Sequence, residues 1–137
     1  MSIVQTQTTS FKTELYQAVH NLATDTIYIA LYNGNADLNA DTTVYTSSNE
    51  VVASGYTAGG QVLTGVSISS SGYTAYVNWA NVSWTAAITA RCALIYNVTQ
   101  GNKSIAVIDF GADKTSTTTF TITMPANTAT TALIRST

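Results

Sequence analysis

Charge is what this chain has least of. Of its 137 residues, 5 are Lys or Arg and 7 are Asp or Glu, so 9% are charged, against about 25% in an average globular domain. Five cations make no electrostatic footprint for nucleic acid, which needs clustered Lys and Arg. They make no polybasic patch for an anionic membrane either. No run of 18 or more apolar residues is present, so no helical membrane span is expected. The single cysteine, Cys92, excludes an intrachain disulfide. The opening residues Met1 to Thr6 lack the basic start and apolar stretch of a secretory signal. Folding in a reducing cytoplasm is the matching expectation.

In place of charge the chain carries Thr, Ser and Asn, with Thr alone about one residue in five or six. The apolar share is 45%, and Tyr 8, Phe 3 and Trp 2 set the chain apart from disordered sequences. The length suits one domain of roughly 100–200 residues. Residues 1–9 carry no periodic pattern and read as an N-terminal arm with no element of its own. Residues 10–137 read as a single domain.

Phe11, Leu15, Ala18, Val19 and Leu22 recur at spacings of three and four, which predicts a helix from about Phe11 to Leu22. Ser10 is the expected N-cap, and Glu14 suits the positive end of the helix dipole. The rest reads as strands between turn signals. These are Thr26–Tyr32, short pieces at Val44–Thr46 and Glu50–Val52, Gln61–Ile68, Tyr73–Trp79, Val82–Trp84, Ile88–Tyr96, Ser104–Phe110, Thr118–Met124 and Ala132–Arg135. Ser69 to Gly72 is the expected hairpin turn, and Pro125 is expected to end a strand. Seven to nine strands at such spacing predict an all-β antiparallel sandwich, jelly-roll-like, with one short N-terminal helix. Ser104–Phe110 is apolar on both faces and reads as a central strand. Tyr28 and Tyr32 lie opposite Ile27, Ile29 and Leu31, so the helix or a partner subunit is expected over the tyrosine side.

Catalytic motifs are absent. His20, on the expected helix, has no Gly-x-Ser-x-Gly elbow to serve. Cys92 lies in the apolar stretch Ala90 to Ile95 and reads as a small core residue. Asp37-Leu38-Asn39-Ala40-Asp41 opens like a calcium loop. Thr42 then stands where Gly is required and Ser48 where Glu is required, so a solvated loop is the stronger reading. Gly55 to Gly60 lacks the Lys of a phosphate cradle, and its glycines read as turn positions with φ > 0. The sequons at Asn81, Asn97 and Asn102 are chance matches in a chain rich in Asn, Ser and Thr. Trp79, Trp84, Tyr56, Tyr73 and Tyr76 either pack the fold or form a sugar-stacking platform, packing being the simpler reading. No cofactor and no catalysis are expected.

With little charge to spend, Thr, Ser and Asn must coat the surface. Such a surface buries cheaply, because no full charge has to leave water. That favours a protein packed against copies of itself or against a larger lattice.

Several stretches resemble small virion structural proteins of tailed bacteriophages. They are Ser10-Phe11-Lys12-Thr13-Glu14-Leu15, Ile29-Ala30-Leu31-Tyr32, Gly55-Tyr56-Thr57-Ala58-Gly59-Gly60, Leu63-Thr64-Gly65-Val66, Ala75-Tyr76-Val77, Val82-Ser83-Trp84, Ile88 to Asn97, and Asp109-Phe110-Gly111 with Asp113-Lys114. The most specific are the Gly-Tyr-Thr-Ala-Gly-Gly turn and the strand from Thr89 to Asn97; Cys92 departs from the small residue expected there. The resemblance implies a non-catalytic capsid decoration or cement protein on the virion surface. Its partners would be the major capsid protein and copies of itself as dimer or trimer, with neither nucleic acid nor membrane. A tail, baseplate or head–tail adaptor component is the alternative, and a carbohydrate-binding module on a fibre the third. Ile3, Val4, Tyr56, Tyr73 and Tyr76 are the expected interface residues.

Overall fold

The computed structural model describes residues 2–137, so Met1 lies outside the described residues. The chain is mostly β, with one helix and antiparallel sheets. Its elements are β1 (Thr6–Gln7), α1 (Thr9–Tyr16), β2 (Ile27–Tyr32), β3 (Gln61–Val62), β4 (Ser67–Ser71) and β5 (Thr74–Asn78). They continue with β6 (Val82–Trp84), β7 (Thr89–Asn97), β8 (Lys103–Thr115), β9 (Phe120–Ile122) and β10 (Ile134–Ser136). A five-stranded sheet runs β1-β8-β7-β2-β3, a three-stranded sheet β10-β5-β4, and β6 pairs with β9.

The β-branched and aromatic runs of β2 and β7 pair in continuous register from Ile27↔Asn97 to Tyr32↔Cys92. Side chains alternate across that pairing, and each face has its own cover. Ile27, Ile29, Leu31, Ala93, Ile95 and Ile105 face the larger core, with Phe11 of α1 and Trp79, Trp84, Phe120 and Ile134 from the smaller sheets and their flanks. Ala30, Tyr32, Cys92, Leu94, Tyr96 and Val107 face a second core. The tyrosine side is therefore covered from within the chain, and not by the helix. The chain's own segment with Ala36, Leu38 and Tyr45 lies over it, because this segment brings apolar groups and α1 packs on the isoleucine side. The strands buried along most of their length are β2 and β7, with Ile29–Tyr32 and Cys92–Asn97 all buried. In β8 burial ends at Val107; Ile108–Phe110 are half-buried and residues 111–115 are exposed.

The helix is shorter than the periodicity predicts. Thr8, not Ser10, caps it, accepting a 3.3 Å hydrogen bond from the Phe11 N–H. Ser10 instead joins a hydroxyl cluster with Thr8 and Ser104. The helix stops at Tyr16 in a Schellman motif: the Val19 N–H donates to the Glu14 carbonyl and the Ala18 N–H to the Leu15 carbonyl. Ala18 takes the left-handed position, φ 60°. Val19 and Leu22 continue the apolar spacing beyond the stop, and Leu22 still reaches the core, from a loop.

The hairpin turn also moves. Ser69–Ser71 belong to β4, and the loop is Gly72-Tyr73, with Gly72 at φ 60°. Glycine at the first central position, followed by a residue without positive φ, is the pattern of a type II′ turn, whose twist suits a two-residue hairpin. The single strand expected over Gln61–Ile68 divides into β3 and the start of β4, which belong to different sheets, with Gly65 (φ 64°) between them.

Candidate functional site

The N-terminal residues have elements of their own, contrary to the expectation of a free arm. Ile3 forms a parallel bridge with Leu38, the Val4 N–H donates to the Leu38 carbonyl, and Thr6–Gln7 pair with Val107–Ala106. Backbone pairing and the apolar contact of Ile3 with the second core tie the segment to its own chain. Of the expected interface residues, Ile3 is half-buried, Val4 is half-exposed, and Tyr56 is buried. Tyr73, at the hairpin tip, is 99% exposed, and Tyr76 is half-buried on β5. Ile3 and Val4 lie together on the N-terminal segment, Tyr73 and Tyr76 on the β4–β5 hairpin, and Tyr56 stands apart from both.

The sugar-stacking platform does not assemble. Trp79, Trp84 and Tyr56 are buried in the larger core, where Trp84 meets Tyr56 and Phe120 at ring-centroid distances of 5.9 and 6.2 Å. Their apolar area drives them inward, and the core leaves no flat face exposed.

Tyr56 has an internal partner that sequence reading missed. Glu50 is buried, and its carboxylate accepts from the Tyr45 and Tyr56 hydroxyls at 2.5 Å each and from the Gly59 N–H at 2.7 Å. The Tyr56 oxygen in turn accepts the Leu31 N–H at 2.9 Å. The Tyr96 hydroxyl donates to the Gly59 carbonyl and the Tyr32 hydroxyl to the Thr46 carbonyl. Burial first, then the negative field of Glu50, push these four phenols upward, Tyr96 to about 12 and the other three further. They stay protonated donors at neutral pH, and the cluster pins the 42–60 segment onto β2. The available signal was that Glu50 is the only carboxylate between Asp41 and Asp109, with tyrosines five residues before it and six after.

His20 lies beyond the helix and its side chain is fully buried. Its Nε2 meets the Glu14 carboxylate at 2.8 Å and its Nδ1 meets the Asn97 amide nitrogen at 3.0 Å. The same amide nitrogen donates to Asp25 at 2.9 Å, and the Asn97 oxygen accepts the Gln100 N–H. The amide is thereby oriented, so Nδ1 accepts and Nε2 carries the proton. Neither ring nitrogen is free to take a proton from a hydroxyl. Burial pushes the Asp25 carboxyl up, but hydrogen bonds from Asn97, the Asn21 N–H and Gln100, with His20 nearby, outweigh it and hold it below its ordinary value.

Cys92 is fully buried, and burial pushes its thiol up to about 12 with Asp109 adding to the effect. The Asp37 loop binds its own chain: Asp37 accepts from Ser2 N and Asn39, and Asn39 accepts from Asp41 N. Among the described residues no cluster of three or more His, Cys, Asp or Glu gathers, and no helix is long and apolar enough to cross a membrane.

The remaining feature is an uncharged surface. Residues 51–90 contain no Asp, Glu, Lys, Arg or His. They include the whole β4–β5 hairpin, all five residues of β4 being exposed. Val52 and Tyr73 are almost fully exposed, and Ile68 is 53% exposed. Beside the hairpin an open groove of about 580 Å³ separates α1 from β5 and β10, lined by Phe11, Leu15, Leu22, Val77 and Ile134. Tyr16, 95% exposed, stands at its rim. No protein-family model, curated protein or solved structure matches the chain.

Proposed function

We propose that this chain is a non-catalytic structural protein of a tailed-bacteriophage particle. It binds the outside of the capsid as a decoration or cement protein, assembled in the bacterial cytoplasm. The observation that carries this reading is the charge-free stretch 51–90, which folds into a projecting hairpin and exposed aliphatic and aromatic side chains rather than into core alone. Neutral hydroxyls and amides bury against a neighbour without the several kcal/mol that each desolvated ion costs. The resemblance of the Gly55–Gly60 turn and the Thr89–Asn97 strand to phage virion proteins supplies the setting, and a jelly-roll-like sandwich belongs to the same proposal. The mechanism is mass action. A protein that binds only the assembled shell stabilises it by RT ln(1 + [L]/Kd) at every site.

The test is copy number on purified particles. On the order of hundreds of copies, following the shell's symmetry, supports the capsid reading. About six to a few dozen places the chain in the tail, baseplate or adaptor. Absence from any particle overturns both. A carbohydrate-binding module is less favoured, because both tryptophans that would stack on a sugar are buried.

A further inference from the structure

The sheet edges of this molecule are protected unequally. The outer edge of β8 is covered by β1 at Ala106 and Val107, and the Gln5 side chain accepts the Asp109 N–H. Beyond that it carries Asp113, Lys114 and a glycine at φ 82°, Gly111. The edge strand β10 holds three residues, one of them Arg135, whose carbonyl accepts from the Gln7 side chain. β1 and β3 have two residues each. Charges, bulges and brevity are the usual devices that stop an edge from recruiting another strand. The edge strand β4 has none of them. It is Ser-Ile-Ser-Ser-Ser, exposed at all five positions, without charge, proline or register shift, and no backbone hydrogen bond among the described residues reaches it from outside its pairing with β5.

We infer that β4 pairs antiparallel with β4 of a second copy of this chain, joining two three-stranded sheets into one of six strands. This deepens the proposed function and rests on it only in making the chain a multi-copy protein. The hydrogen-bond phase specifies the register. A two-residue hairpin closes on a hydrogen-bonded pair, here Ser71↔Thr74, so Ser69↔Tyr76 and Ser67↔Asn78 also exchange bonds inward. The N–H and C=O groups of Ile68 and Ser70 then point outward. Pairing about a two-fold axis at Ser69 sets Ile68 opposite Ser70 of the second copy, and Ser70 opposite its Ile68. Both are hydrogen-bonded pairs, four backbone bonds in all, and the outward groups of both strands are used. Side chains agree with this arrangement. Ile68, Val77 and Ile134 form one cross-strand row, buried at Ile134, half-buried at Val77 and 53% exposed at Ile68. The row runs out at the edge where the second copy would continue the sheet. Ser69 lies on the other face, in the row with Tyr76 and Arg135, so the two Ser69 side chains meet across the axis with no core residue between them.

The test uses charge at the axis. Ser69→Lys sets two ammonium groups opposite each other, and Ser69→Glu two carboxylates, each on an exposed position. Sedimentation equilibrium of the full chain should show a concentration-dependent dimer. Either variant alone should weaken dimerisation about tenfold or more, and an equimolar mixture should restore it as a heterodimer. A structural defect would not be repaired by mixing. A wild-type chain that stays monomeric at every concentration, or variants that dimerise like wild type, or a mixture no tighter than its components, would overturn the inference. Dimerisation by a chain absent from every particle would instead sink the proposed function and leave β4 pairing intact.

Discussion

Glu50 shows how much one side chain can organise in a molecule with so few ions. Its carboxylate takes three donors, and the Tyr56 hydroxyl both donates to it and accepts the Leu31 N–H. Tyr56→Phe removes one of those donors and leaves a buried strand N–H without an acceptor. A loss of about 1–3 kcal/mol is expected, read as a lower urea midpoint with unchanged slope. Retention of wild-type stability would mean that the network is dispensable. The same cluster sets an alkaline limit. Tyr32, Tyr45, Tyr56 and Tyr96 are raised in the folded state from an ordinary value of 10.0. The native state thus favours their neutral form, and their contribution is fully present below about pH 10 and lost as pH rises beyond it. Phenolate absorbance should show these four ionising together with loss of the far-ultraviolet β signal. Ionisation of all eight tyrosines in a still-folded chain would contradict the geometry. The residues immediately around Tyr56, which is buried, and Tyr73, which is exposed, do not distinguish them. Both follow a glycine among small polar residues, and Glu50, six residues before Tyr56 and bonded to it in the fold, separates them.

Elements were legible where local pattern and tertiary demand agree. The runs Ile27–Tyr32 and Thr89–Asn97 are rich in β-branched and aromatic residues, and they pair with each other over six positions. The helix end was not legible, because the stop signal is missing from the sequence. Ala18 occupies the left-handed site that Gly usually fills, while Val19 and Leu22 extend the apolar spacing past it. That mismatch predicts a stabilising substitution. Ala18→Gly relieves a left-handed alanine and should raise stability by about 0.5–1 kcal/mol, seen as a higher thermal midpoint. Gly60 is the opposite case. It sits at φ 84°, and a Cβ there would lie 1.8 Å from the Ile29 carbonyl oxygen, so Gly60→Ala must displace β2 itself. It should cost about 3 kcal/mol or more. Gly72→Ala meets open space and should cost only the backbone term, about 1 kcal/mol. Equal losses at Gly60 and Gly72 would mean that close backbone approach is not what selects glycine there. The division of Gln61–Ile68 between two sheets was hidden for a related reason. Gly65 turns the chain at φ 64° inside what reads as one strand, and a turn inside an otherwise extended run has a weak local signature.

At the scale of the molecule the two structured faces of the five-stranded sheet are covered internally, one by α1 and the smaller sheets, the other by Ile3 and the 36–45 segment. What remains for neighbours is the β4–β5 hairpin, the groove beside α1, and isolated apolar side chains such as Val52. Charged residues lie elsewhere: in α1 and the loop after it, the 37–50 segment, Arg91 of β7, the start and the outer part of β8, and β10. An interface between ions would be screened over a Debye length of about 8 Å at physiological salt and weakened further as salt rises. An interface of backbone hydrogen bonds, serines and one isoleucine per copy has no such dependence. Dimerisation through β4 should therefore change less than about twofold between 50 and 500 mM sodium chloride, both concentrations being order-of-magnitude settings. Sulfate, which strengthens apolar burial by exclusion from the surface, should tighten it. Measuring the dimerisation constant across both salts separates the two kinds of interface. A steep loss with sodium chloride would show that the few ions, and not the uncharged hairpin, hold the copies together.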